Sequence, residues 1–158
     1  MVRCLFLLFQ IFLLCFYHQA SNGQANTPVS WLIKAEPGAN HNAILTATAN
    51  LTPGWYIYSQ FLEEGGPMPT RLTFEPSTAY DLIGKAEEIG NPVTYHDAIY
   101  QMKITKYRGT ASFSQKVKLN RRSTVVKGAV EYMTCNNDIC IPGKQEFSIT
   151  VEPLKQSP

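Results

Sequence analysis

The sequence predicts an all-β protein, an antiparallel β-sandwich, and three observations carry that expectation. Apolar residues alternate with polar ones: Ala111, Phe113, Val117 and Leu119 stand against Thr110, Ser112, Ser114, Lys116 and Lys118. Phe147, Ile149 and Val151 alternate in the same way with Glu146, Ser148 and Thr150. A period of two puts one face of a strand in a core and the other in solvent. Breakers punctuate the chain at short intervals, from Pro37-Gly38 and Pro53-Gly54 through Gly65-Gly66-Pro67 and Gly90-Asn91-Pro92 to Gly109, Gly128 and Pro142-Gly143. Many short strands divided by such turn residues suit a sandwich. Finally, only residues 79–89 offer room for a short helix or an irregular loop, and Gly84 interrupts them.

The expected strands follow in order. Residues 31–35, 43–51 and 55–59 form the first three, and Arg71–Phe74 the fourth. Residues 99–107 and 110–119 come next, divided by Gly109. Residues 129–135 and 146–151 close the series. The tail beyond Val151 holds two prolines and is expected to fray. There is no internal repeat and no low-complexity tract.

Residues 1–23 read as a secretory signal peptide. Arg3 gives a positive start, residues 5–17 are apolar except Gln10, and Ser21-Asn22-Gly23 or Gly23-Gln24-Ala25 supplies small residues for cleavage. The apolar run is short for a membrane span, which needs about 20 residues. The alternatives are an uncleaved anchor and a lipoprotein at Cys15, which the bulky Leu14 argues against. One domain is expected over residues 24–158. Arg3 is the only Lys, Arg, Asp or Glu in the leader, so the formal charge of +2 for the whole chain falls to near neutrality without it. A neutral domain has no basic face for nucleic acid, and no second apolar run reaches spanning length. A periplasmic monomer is the expectation, with any membrane or thioredoxin-like domain on another polypeptide.

The leader also takes Cys4 and Cys15, leaving Cys135 and Cys140 in a compartment where disulfides persist. The segment ending at Cys135 reads as a strand, and Cys140-Ile141-Pro142-Gly143 leads into the last one. Between them, Asn136, Asn137 and Asp138 tolerate the backbone of a hairpin turn. Across such a hairpin the Cα atoms approach to about 5.5 Å, a separation that suits a disulfide. As a staple the bridge is weak: closing about six residues gains roughly 2 kcal/mol in the chain-entropy model, and the turn already imposes most of that closure. Side by side at a sheet edge, the sulfurs are well placed for exchange with a partner's thiol. On spacing alone, a redox centre and a passive bridge stand level.

No metal and no cofactor is expected. Structural zinc takes four Cys or His ligands, and His41 and His96 lie far from the cysteines in sequence. Met68, Met102 and Met133 are soft enough for copper(I), but scattered methionines in a β-protein more often fill a core.

Two segments resemble a known family. Residues 132–142, Tyr-Met-Thr-Cys-Asn-Asn-Asp-Ile-Cys-Ile-Pro, are similar to the active-site hairpin of the N-terminal periplasmic domain of the thiol:disulfide interchange protein DsbD. Residues 53–60, Pro-Gly-Trp-Tyr-Ile-Tyr-Ser-Gln, resemble that domain's tyrosine strand. The resemblance extends from about Trp31 to Val151. It implies an immunoglobulin-like sandwich whose disulfide passes electrons between thioredoxin-like proteins, fed by a membrane electron transporter and delivering to a disulfide isomerase or a cytochrome c maturation thioredoxin. It gives Cys140 the mixed disulfide with partners and Cys135 the resolving role. Tyr56 and Tyr58 become the lining tyrosines. The family's cap loop is expected near residues 86–90, which adds Glu88 and Ile89 to the lining. The chain departs from the pattern by having four residues between its cysteines instead of five, and by having no aromatic in that cap stretch. Ile89 is the substitute there, or Tyr95 if the register is displaced by several residues. The competing reading is a secreted sandwich that binds a protein partner through its apolar surface near Trp55 and Phe61, with a structural bridge.

Overall fold

A computed structural model of the chain describes residues 27–153. The proposed leader therefore lies outside the described residues, as does the end of the tail. Eight antiparallel strands follow: β1 (Val29–Pro37), β2 (Asn42–Leu51), β3 (Tyr56–Tyr58), β4 (Arg71–Phe74), β5 (Tyr80–Asp97), β6 (Met102–Leu119), β7 (Thr124–Cys135) and β8 (Cys140–Val151). Hydrogen bonding is continuous in the order β1-β2-β6-β3-β7-β4, with β5 added to β6 and β8 to β7. The sheet curls on itself, so residues of β2 and β6 meet residues of β7 and β8 in shared apolar clusters.

The alternation in the sequence decides which side chains meet. Ala43, Leu45, Ala47, Ala49 and Leu51 point inward from β2. Phe113, Val117 and Leu119 do so from β6, and Val126, Val130 and Tyr132 from β7. Trp31 packs on Tyr132 and Phe113 at centroid distances of 5.2 and 6.0 Å. A second cluster around Leu45, Tyr80, Val126 and Val151 fills the far end.

The expectation of a helix or irregular loop over 79–89 is overturned, because this stretch begins the 18-residue strand β5. The reason is its position. β5 is an edge strand paired only to β6, and most of its side chains are exposed, including Leu82 and Ile83. A strand bare on both faces writes no period of two into its sequence. Glycines mark the irregularities: the register with β6 shifts between Ile83 and Glu87, where β5 carries the extra residues beside Gly84 at φ 68°, and again between Gly90 and Pro92, where β6 carries them around Gly109, also at φ 68°. Such bulges bend a strand without ending it. Gly109, expected to divide two strands, likewise lies within the single strand β6.

Beyond the second shift, residues 92–97 of β5 pair with 102–107 of β6 as a projecting hairpin arm. Its turn is held by the Asp97 carboxylate, which accepts the Ile99 and Tyr100 amides at 2.9 and 3.1 Å. The sequence expectation had Ile99 and Tyr100 starting a strand, whereas they occupy this turn.

Candidate functional site

The disulfide is built by backbone register. β7 and β8 pair without a shift from Thr124↔Val151 to Cys135↔Cys140. The turn follows at once: Asn136 donates its amide to the Ile139 carbonyl at 3.0 Å, and its side-chain oxygen accepts the Asp138 and Ile139 amides, each at 2.8 Å. This is the side-chain-to-backbone turn that asparagine favours. The two cysteines are bonded, with Cα atoms 4.1 Å apart. That is closer than the expected 5.5 Å and fits the close, non-hydrogen-bonded positions of an antiparallel ladder.

The two sulfurs have unequal surroundings. Cys135 is 0% exposed, whereas Cys140 is exposed, between the exposed Ile139 and Ile141. Cys135 is covered by a small core of its own. Strand β3 has only three residues, all buried. Ile57 faces the main core, and the pleat turns Tyr56 and Tyr58 to the opposite side, against Cys135 and Ile104. Leu62, Tyr95, Met102 and Met133 close the cluster. Tyr56 stands directly opposite Cys135 in the ladder, and its hydroxyl donates to the Asn136 carbonyl at 3.4 Å. The Tyr56 and Tyr58 rings meet edge to face at 5.5 Å.

Electrostatics around this core favour neutral tyrosines. Burial, aided by the neighbouring Tyr56, pushes the Tyr58 hydroxyl well above its ordinary value. Burial and then Asp97 push Tyr95 up to about 12. Two cations lie beside the aromatic wall: the Lys106 ammonium is 4.2 Å from the Tyr56 ring centre and the Arg108 guanidinium carbon 5.1 Å from it.

The fold brings Cys135, Cys140, Tyr56 and Tyr58 together. Glu88 and Ile89 do not join them. Glu88 is a pin one step away: it accepts the Ser59 hydroxyl at 2.9 Å, the Gln60 amide at 2.5 Å and the Tyr107 hydroxyl at 2.8 Å. It thereby ties β5 and β6 to the chain leaving β3. Ile89 is 62% exposed and outside the sulfur cluster, so its place in the lining is corrected. The cover comes instead from the projecting arm, through Tyr95, Met102 and Ile104. The pairing is the physical reason: Tyr95 stands opposite Ile104, which belongs to the sulfur cluster, whereas Ile89 stands opposite Ser112, which does not. A sequence signal did exist: Val93, Tyr95 and Asp97 alternate up to a turn, and Met102 and Ile104 alternate after it.

Replacing Glu88 with alanine strands three donors at once. A hydrogen bond to a charged group contributes about 1.5–3 kcal/mol. Glu88→Ala is therefore expected to lower unfolding stability by roughly 3 kcal/mol and Glu88→Gln by less, as read by urea denaturation. Equal stability of Glu88→Ala and the parent would refute the pin.

Solved structures share this fold. The N-terminal periplasmic domain of ScsB from Proteus mirabilis aligns with a TM-score of 0.56 at 19% identity, covering 81% of this chain and 49% of that one. The reduced DsbD N-terminal domain from Neisseria meningitidis aligns at 0.52 and 15% identity, covering 78% and 90% of the two chains. The same domain in complex with the PilB N-terminal domain of Neisseria meningitidis aligns at 0.50 and 14% identity, covering 79% and 89%. The chain thus spans about half the length of the Proteus chain and most of the Neisseria ones. No curated protein matches it in sequence. Residues 25–152 match the family described as thiol:disulfide interchange protein DsbD, N-terminal, and the chain belongs to that family.

Proposed function

We propose that this is a periplasmic thiol–disulfide relay that carries two electrons between thioredoxin-fold proteins through Cys135 and Cys140. The observation that carries the reading is the inequality of the two sulfurs: one enclosed, one presented on a hairpin turn, in a chain of a thiol:disulfide interchange family. The periplasmic relative and the leader read over residues 1–23 support the location.

The chemistry follows from that inequality. A thiolate of a reduced partner attacks Cys140 Sγ. A bond forms between the partner sulfur and Cys140, the Cys135–Cys140 bond breaks, and Cys135 leaves as a thiolate that takes up a proton. The partner's second thiol, losing its proton, then attacks the mixed disulfide at the partner sulfur. The partner departs as a disulfide, and Cys140 leaves as a thiolate, so the domain holds the two electrons as a dithiol. Delivery runs in reverse: the Cys140 thiolate attacks a substrate disulfide, and Cys135 resolves the mixed disulfide. Cys140 carries the intermolecular bond in both directions. Tyr56 and Tyr58 wall off Cys135 as packing groups. The complex of a DsbD N-terminal domain with a PilB domain supports a protein partner for this chain as well.

The test is equilibration of the purified protein with a thioredoxin-fold protein of known potential. Both proteins are expected to settle at defined oxidised and reduced fractions within minutes, reached from either direction. A bridge that stays oxidised beside excess reduced partner would leave only a structural disulfide.

A further inference from the structure

The register of the sheet sets up a row across four strands. Arg108 on β6 stands opposite Tyr56 on β3, Tyr56 opposite Cys135 on β7, and Cys135 opposite Cys140 on β8. Directly opposed residues share a face, and residues two apart on one strand share it too. Lys106 therefore projects on the same side as the disulfide row. Its ammonium lies 4.2 Å from the Tyr56 ring centre and 4.4 Å from the Tyr95 ring centre. Both are well inside the roughly 6 Å reach of a cation over an aromatic face. One ring belongs to the strand beside Cys135, and the other to the edge strand of the arm that covers it. Among the described residues, Lys106 makes no ion pair, so the rings are its charged group's close partners.

The arm needs such a tie. Along residues 92–97, β5 pairs with β6 alone, past a register shift. Its tip is bare, with Ile99 88% exposed. Tyr95 is the β5 residue of the arm that reaches the sulfur cluster. Holding it needs a contact that crosses β6, and the Lys106 side chain supplies one. Burial lowers the Lys106 pKa, with Arg108 adding to the effect and Asp97 opposing it, which agrees with an ammonium set between rings and not in open water.

We propose that Lys106 is a positioning residue, a cationic latch between Tyr56 and Tyr95 that holds the arm over Cys135 and so confines partner attack to Cys140. The inference rests on the relay reading for its purpose, yet the latch is measurable without any partner. With the arm in place, an incoming thiolate reaches Cys140, and Cys135 is the leaving sulfur. With the arm loosened, Cys135 becomes a second point of attack, and mixed disulfides form on the wrong sulfur.

The experiment uses iodoacetamide and the full chain carrying Cys140→Ala, in which Cys135 is the one thiol of the pair. Alkylation of Cys135 is followed by mass spectrometry at fixed pH. Adding Lys106→Met keeps the apolar stem and removes the charge, and is expected to speed alkylation about tenfold. Lys106→Arg, which keeps a cation over the rings, is expected to stay near the parent rate. Tyr95→Leu should match Lys106→Met, and combining the two should add little. In the protein with its disulfide intact, hydrogen exchange of the amides from Tyr95 to Ile104 should quicken in Lys106→Met by a similar factor. The direction of the alkylation change discriminates. If Lys106 acted only by favouring the Cys135 thiolate, removing it would slow the reaction. A slower or unchanged rate, or unchanged exchange in the arm, would overturn the latch. Neither result depends on redox equilibration, so failure of the relay reading is seen separately.

Discussion

Cys135→Ala, mixed with an oxidised thioredoxin-fold substrate, is expected to accumulate a mixed disulfide through Cys140, while Cys140→Ala accumulates almost none. The argument is one of access. The remaining thiol of Cys135→Ala sits at the exposed start of β8, between Ile139 and Ile141. A thiolate there attacks the substrate, and no Cys135 remains to release it. The remaining thiol of Cys140→Ala is enclosed by Tyr56, Tyr58, Ile104 and the arm residues. It reacts only when the cover opens, which for an opening cost of about 3 kcal/mol slows it on the order of a hundredfold. Both variants lose net electron relay, because each lacks half of the dithiol. Non-reducing electrophoresis separates them, and peptide mapping locates the bond. Equal trapping by the two variants would show that the cover does not govern which sulfur reacts.

A large loss of stability is also expected from Gly128→Ala. Gly128 lies in the middle of β7, opposite Phe74 of β4 and Phe147 of β8. A Cβ placed on it would stand 2.1 Å from the Thr73 carbonyl oxygen and 2.6 Å from the Phe147 ring. The oxygen is backbone and has no rotamer to change. Either β4 pulls away from β7 or β7 buckles. β4 has four residues and pairs with β7 alone, so it gives first and uncovers Leu72 and Phe74, whose ring meets Phe147 at 5.8 Å. Overpacking of a tight site costs about 1–3 kcal/mol and more where backbone must move. A loss of roughly 3 kcal/mol is expected, with a fall in Tm of about 10 °C. Gly109→Ala is the control: its φ of 68° makes alanine mildly strained, but no atom lies within 4 Å of the added carbon. A Gly128→Ala protein as stable as the Gly109→Ala one would refute the steric account.

Gly128 also shows where sequence reading misleads. As a breaker it was expected to bound a strand, yet it sits inside one because the Phe147 ring and the Thr73 carbonyl close over it. Gly143 is the same case on β8, where an added Cβ would stand 2.4 Å from the ring of Tyr132, its cross-strand neighbour. Glycine marks close approach here as much as a turn. The strands that carry the core were legible, because β2, β6 and β7 each turn a regular set of apolar side chains inward. The first part of β5, residues 80–90, was illegible for the opposite reason: an edge held by backbone bonds leaves no mark there in hydrophobic pattern.

The candidate site divides along similar lines. Cys135 and Cys140 are neighbours in sequence and stood out at once. Tyr56 and Tyr58 became visible only through resemblance, because paired aromatics in a strand are ordinarily core. Here they are core, but of the small cluster on the far side of β3. Tyr95 and Lys106 come from opposite strands of the arm, and meet Tyr56 only once β5 has paired with β6 and β6 with β3. Nothing local to either residue encodes that meeting.

The unshifted ladder between β7 and β8 has a consequence for the reduced state. Cys135 and Cys140 are neighbours because twelve successive residue pairs bring them there, with Asn136 locking the turn. The covalent bond is added to an arrangement that backbone hydrogen bonds already specify. Two thiols held in that way act on each other at a high effective molarity. Breaking the bond frees no loop and shifts no strand. Oxidised and reduced forms thus present nearly the same outline, and what a partner discriminates between them is chemistry at two atoms, not shape.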